Sequence, residues 1–159
     1  MKTVKTLIAT AVAALATGAA FADITIGVSM SLTGPASGLG IPINNQFKLW
    51  PAAIAGEKLK VIILDDATDP TTGVKNAKRF VTDDKVDIII GSVATPVAIP
   101  IAGVAAEAET VQLAMSPMPL PPGKDGWTFR MPQSNPVMAH AMIGLMKKQG
   151  IKTVGFLGY

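Results

Sequence analysis

Val86-Asp87-Ile88-Ile89-Ile90, running into Gly91-Ser92-Val93-Ala94-Thr95, is the stretch on which the fold turns. Four of its first five residues are β-branched and apolar, the composition of a strand. Ile88 to Ile90 shows no polar alternation, so both faces of the strand need cover, as in a parallel sheet flanked by helices. The small residues after Ile90 end the strand. The Ala-rich residues 98–108 read as the next helix, with Pro100 expected to kink it or delay its start.

The same alternation extends in both directions. Upstream, Ile24-Thr25-Ile26-Gly27-Val28-Ser29-Met30 reads as a strand that enters the turn Thr33-Gly34-Pro35. A short helix is expected over 42–49, with Pro42 in its first turn and Pro51 beyond its end. Leu59-Lys60-Val61-Ile62-Ile63-Leu64 is a second strand. Asp69-Pro70 supplies a cap and a first-turn proline for a helix whose apolar stripe is Val74, Ala77 and Val81. Downstream, Val111-Gln112-Leu113-Ala114-Met115 and Trp127-Thr128-Phe129-Arg130-Met131 read as strands around a loop at 116–126 that holds four prolines. A helix is expected over 136–149 with Gly150 at its end, then a sixth strand over 152–158. That strand would close the sequence without the helix that normally follows, so a longer parent chain is expected.

Repeated strand–helix units with short connections imply an α/β fold with a doubly wound parallel sheet. Ligands of such sheets sit outside the C-terminal strand ends, where the winding reverses. Two loops qualify: residues 32–40 after the first strand, and Gly91-Ser92-Val93-Ala94-Thr95 after the third. The second places Val93, Ala94 and Thr95 at the crevice, with Thr95 beside a helix start where a hydroxyl and backbone N–H groups both donate to an anion. Capping of that helix is the plainer role for Thr95.

The first 22 residues read as an address. Lys2 and Lys5 precede an uncharged Ala-rich run at 7–20, and Ala20-Phe21-Ala22 has the small-x-small form of a signal cleavage site. The run is too short and too weakly apolar for an anchor, so export to the periplasm is expected. Without Lys2 and Lys5 the 14 basic residues become 12 against 11 acidic ones, a net charge of +1. These charges are interspersed, which argues against a nucleic-acid partner. The chain has no cysteine, so neither disulfides nor thiolate metal sites arise.

Catalytic and cofactor chemistry find no foothold. Gly34, Gly38 and Gly40 do not make a dinucleotide fingerprint. His140, the sole histidine, has no nucleophile partner in any recognisable motif and reads as a solvated helix residue. Asp65-Asp66 reads as a structural turn rather than a cation site, because Asp69 serves as a cap. Met138, Met142 and Met146 recur every four residues, and thioethers bind Cu(I). Ala and Leu share that helix, which makes an apolar face the plainer explanation.

Several stretches together resemble the type I periplasmic solute-binding proteins for leucine, isoleucine and valine. They are Ile26-Gly27-Val28 with Ser31-Leu32-Thr33-Gly34-Pro35; Leu64-Asp65-Asp66-Ala67-Thr68-Asp69-Pro70; Val86-Asp87-Ile88-Ile89-Ile90-Gly91; Met115-Ser116-Pro117; and Phe129-Arg130. The resemblance implies a signal peptide at 1–22, an N-terminal α/β ligand-binding lobe at 23–133, and the start of a second lobe at 134–159. It implies a monomeric, non-enzymatic substrate-binding component of an ABC transporter. Such a protein would carry a branched-chain amino acid or related small carboxylate to a membrane permease, without cofactor or metal. It places Thr95 where the family holds the ligand carboxylate by a hydroxyl, and Met118 where backbone meets the carboxylate and amino group. Leu120 stands where a hydroxyl is common and Leu39 where an aromatic lines the cleft. Both replacements make the site more apolar than one for plain leucine. A sensory receptor domain on the same fold is the first alternative. A periplasmic enzyme or a copper protein stands further off.

Overall fold

A computed structural model describes residues 23–120, 122–123 and 126–155. The leader at 1–22 and the end of the expected sixth strand, residues 156–158, lie outside the described residues. Six strands form one sheet: β1 (Ile24–Met30), β2 (Ala53–Ile54), β3 (Glu57–Asp65), β4 (Ile88–Ile90), β5 (Val111–Ala114) and β6 (Thr128–Arg130). Among the described residues four helices accompany them: α1 (Ser37–Phe47), α2 (Pro70–Thr82), α3 (Thr95–Glu107) and α4 (Asn135–Lys148). The strand order is β2-β3-β1-β4-β5-β6, and every pairing but β2 with β3 is parallel.

The period of two along each strand sorts the core into two layers. Ile26, Val28, Met30 and Ile90 face one way, with Val61, Ile63, Leu113 and Met115 packed against them and Ala36, Ile43 and Phe47 brought by α1. Ile89 faces the other way, into a cluster built from Ala77 and Phe80 of α2 and Val97, Ile101 and Val104 of α3, with Ile62 and Leu64 alongside. The uninterrupted apolar run of β4 follows from this, since each of its faces meets a helical layer.

The structure corrects several expected boundaries. The first helix starts at Ser37, and Pro42 lies inside it. Ala36, Gly40, Ile43 and Phe47 recur at intervals of four, three and four, a stripe that seats this helix on the sheet on both sides of Pro42. Pro42 would press on the carbonyl of Gly38, four residues back, and that position is exposed with open space around it. Likewise α3 starts at Thr95 and runs through Pro100, so the delayed start does not occur. Burial of Val97 and Ala98 as well as Ile101 and Ala102 holds both sides of that proline against the sheet. Residues 53–58 form an unforeseen hairpin, with Ala55 at φ 53° and Gly56 at φ 89° as its two-residue turn. Residues 152–155 make no strand and are exposed. Among the described residues nothing offers them a ladder, and α4 before them buries none of its residues.

Asp69 caps α2 as expected, accepting from the Thr72 N–H at 2.7 Å, with Pro70 at the first turn. Gly150 follows α4 at φ +67°. His140 is exposed. No helix among the described residues is long and apolar enough to cross a membrane.

Candidate functional site

The winding reverses between β1 and β4. From β1 the chain goes first to β3 on one side, then returns to β4 on the other. The crevice outside the C-terminal ends of these two strands is therefore bounded by the residues after Met30 and the residues after Ile90, the two loops expected from the sequence. The turn after β3 braces the first of these loops.

That turn is held by its two carboxylates. Asp65 accepts from the N–H groups of Leu32 (2.9 Å), Thr33 (3.2 Å) and Ala67 (2.8 Å) and from the Thr33 hydroxyl (2.6 Å). Partial burial by itself raises its pKa, but the Thr33 hydroxyl and these backbone donors together hold it below the ordinary carboxylate value. Asp66 is fully buried and accepts from the hydroxyls of Ser29 (3.2 Å) and Ser31 (2.7 Å) and the Thr68 N–H (2.9 Å). Ala67 and Thr68 sit in the left-handed region at φ 52° and 60°, stabilised there by these side-chain acceptors. The structural-turn role expected for Asp65-Asp66 thus describes what both side chains do.

The depressed pKa of Asp65 carries a pH consequence. The folded chain binds this proton less readily than the unfolded one, so the stabilisation is full above the ordinary value of 3.8 and is lost as the pH falls through the lower folded value. The melting temperature is expected to fall less steeply below about pH 3.8 in Asp65→Asn than in the parent. Identical acid limbs in thermal melts would contradict this.

The loop after β4 is packed from both sides. Gly91 adopts φ +120° close to the Ser29 carbonyl, and the Gly91–Ser92 peptide is cis. Ser92 is fully buried and accepts from the Ala94 N–H at 3.3 Å. Gln112, buried in β5, donates to the carbonyls of Gly91 (2.8 Å) and Ala98 (3.2 Å) and accepts from the Thr128 hydroxyl (3.1 Å). One amide thereby ties β4, α3 and β6 together. Sequence reading passed over Gln112; a single polar residue inside the apolar strand Val111-Gln112-Leu113-Ala114 was the available signal.

Thr95 is the first residue of α3. Ala94 is its N-cap, and no side chain caps the helix, so the capping role weighed for Thr95 is not the one it has. Val93 and Ala94 are largely buried just before it. Leu39 lies on α1 and is 62% exposed. Met118 is fully buried against Ala98, Ala102 and Ala114, and its carbonyl accepts from Arg130 at 3.3 Å. Met118 and Leu120 line a cavity of about 620 Å³, together with Arg130 and with Ser134, Asn135 and Pro136 at the start of α4. Thr95, Val93, Ala94 and Leu39 do not line it. Of the six expected residues, Val93 and Ala94 lie on the loop after β4, Thr95 opens α3, Leu39 lies on α1, and Met118 and Leu120 line the cavity. Arg130 and Ser134, on the cavity wall, were not among the expected site residues.

A profile of the family described as periplasmic binding protein matches residues 23–159. The chain is 40% identical over 112 residues to the Leu/Ile/Val-binding protein BraC3 of Rhizobium johnstonii, an alignment covering 66% of this chain and 30% of that one. An extracellular ligand-binding receptor from Rhodopseudomonas palustris superposes with a TM-score of 0.82 at 43% identity, over 86% of this chain and 38% of that one. A solute-binding protein of an ABC transporter from Rhodopseudomonas palustris BisB5, solved with 3,4-dihydroxybenzoic acid, superposes with a TM-score of 0.69 at 26% identity, over 82% and 37%. The chain thus spans between 30% and 38% of the length of these relatives.

Proposed function

The chain belongs to the periplasmic binding protein family, and on that premise we propose that it serves as the solute-binding component of an ABC transporter, taking up a small carboxylate at the switch-point crevice. One observation carries this reading: Thr95 opens a helix that no side chain caps, at the point where the sheet winding reverses. A helix start favours negative charge, and a hydroxyl there adds a donor for a carboxylate. Val93 and Ala94 supply small apolar neighbours. Met118 offers its backbone to the solute, and Leu120 and Leu39 extend the surface that meets its body.

The rest follows from the two-lobe design. Residues 1–22 lead the chain to the periplasm. Residues 23–133 form the first lobe, and residues from 134 onward open the second. That division is supported by α4, which buries none of its residues against the sheet. The solute docks on one lobe, hinge closure buries it with the other, and the membrane permease reads the closed form of the monomer.

A specific observation favours an aromatic acid over a branched-chain amino acid. The leucine side chain at 120 cannot donate a hydrogen bond, and the relative solved with 3,4-dihydroxybenzoic acid carries an aromatic carboxylate. In the full-length protein, Thr95→Val is expected to weaken binding of the preferred acid by roughly 1.5–3 kcal/mol, the range for a charge-assisted hydrogen bond. Calorimetry with 3,4-dihydroxybenzoate and with leucine checks both points. Undiminished affinity in a folded Thr95→Val variant would remove Thr95 from the site.

A further inference from the structure

Asp66 gathers two chains of hydroxyl groups, and the protons in them can run only one way. Ser31 has a single hydroxyl proton, and its 2.7 Å contact with Asp66 Oδ1 uses it. Ser31 Oγ also lies 3.4 Å from Ser92 Oγ. Because Ser31 has no second proton, Ser92 must donate across that contact. Ser92 Oγ is then left to accept, and the Ala94 N–H reaches it at 3.3 Å. The second arm has the same sense: Asn76 Nδ2 donates to Ser29 Oγ at 3.4 Å, and Ser29 donates to Asp66 Oδ2 at 3.2 Å. Ser29, Ser31, Asp66 and Ser92 are all fully buried. In such surroundings hydrogen bonds strengthen, and linked ones polarise one another.

The end of the first arm matters most. It occupies the N–H of the residue that caps α3. The N–H groups of Val97 and Ala98 both go to the Ala94 carbonyl, and Pro96 has none. The hydroxyl and N–H of Thr95 are then the first donors this helix start can offer. We infer that Asp66 and Ser31 are positioning residues for the solute site, acting through Ser92 to fix Ala94 and thereby set the donors of Thr95. The part of this that concerns solute rests on the function proposed above; the relay itself does not.

The test uses the full-length ¹⁵N-labelled protein. Ser31→Ala keeps Ser92 but removes the group that orients its proton. The Ala94 amide is expected to exchange with solvent roughly tenfold faster, the scale of one hydrogen bond's net contribution, and its cross-peak to move. The Val97 and Ala98 amides, bonded to the Ala94 carbonyl, keep their protection. A serine that merely fills space would change all three together or none, and either pattern overturns the relay. Should Ser31→Ala fail to fold, Ser31→Cys, whose sulfur is a weak acceptor for the Ser92 hydroxyl, is read in the same way. In the solute arm, Ser31→Ala is expected to bind whichever of 3,4-dihydroxybenzoate and leucine the parent binds roughly tenfold more weakly, again on the scale of one hydrogen bond. Equal affinity overturns the positioning role. A parent that binds neither acid overturns the proposed function, while the Ala94 amide still decides the relay.

Discussion

Phe80→Ala is expected to remove about 3–5 kcal/mol of folding stability, the range for deleting a buried aromatic ring. Among the described residues Phe80 is the largest of the fully buried side chains. It stands at the centre of the layer made by Ala77, Val86, Ile89, Val97 and Ile101. Its ring lies so close to β1 that a Cβ on Gly27 would come within 2.6 Å of it. The backbones of β1 and α2 are each fixed by their own ladders, so the space left by the ring cannot close up. Domains are stable by about 5–15 kcal/mol in all, so the variant should sit near the edge of folding. Urea titration checks this, with a lower midpoint and an unchanged slope. A loss below about 1 kcal/mol would contradict the packing described for this layer.

Gly91→Ala is expected to cost about 3 kcal/mol or more, from two separate causes. At φ +120° an L side chain is strained wherever it points. An added Cβ would also fall inside the Ser29 carbonyl oxygen, which is backbone of the central strand and cannot step aside. Gly103 provides the contrast. It lies within α3 with nothing within 4 Å of an added Cβ, so alanine there is expected to be neutral or to stabilise by up to about 1 kcal/mol. Thermal melts of the two variants check the pair. A Gly91→Ala protein as stable as the parent would mean that β1 and the β4 loop do not approach as described.

The parts of this fold that sequence displays are those written in apolar pattern and in caps. β1 has its expected limits because Ile24 to Met30 is bounded by turn residues on its far side. Asp69-Pro70 starts α2 because a cap needs only local chemistry. The two crevice loops were legible because parallel winding leaves few places for a switch point. The start of α1 was not, because Pro42 drew attention away from the stripe of Ala36, Gly40, Ile43 and Phe47. Phe80 escaped the stripe drawn through Val74, Ala77 and Val81, although it lies three residues past Ala77 on the same buried side. The serines around Asp66 could not be singled out at all. A serine looks the same in sequence whether its hydroxyl meets water or a buried carboxylate, and only the register of β1 against β3 and β4 brings Ser29, Ser31, Asp66 and Ser92 together. Met138 and Met142 show the converse. Their spacing marks an apolar helix face, yet both are exposed, because α4 buries none of its residues.

The central claim is that an acid is held at the start of α3. It is tested most directly by titrating the full-length ¹⁵N-labelled protein with 3,4-dihydroxybenzoate, and separately with leucine, while following the backbone amides. One of the two is expected to shift the Thr95 resonance saturably, with the neighbouring Val93 and Ala94 resonances moving along the same curve. Saturable binding that leaves Thr95 unmoved, or no binding of either acid, would contradict it.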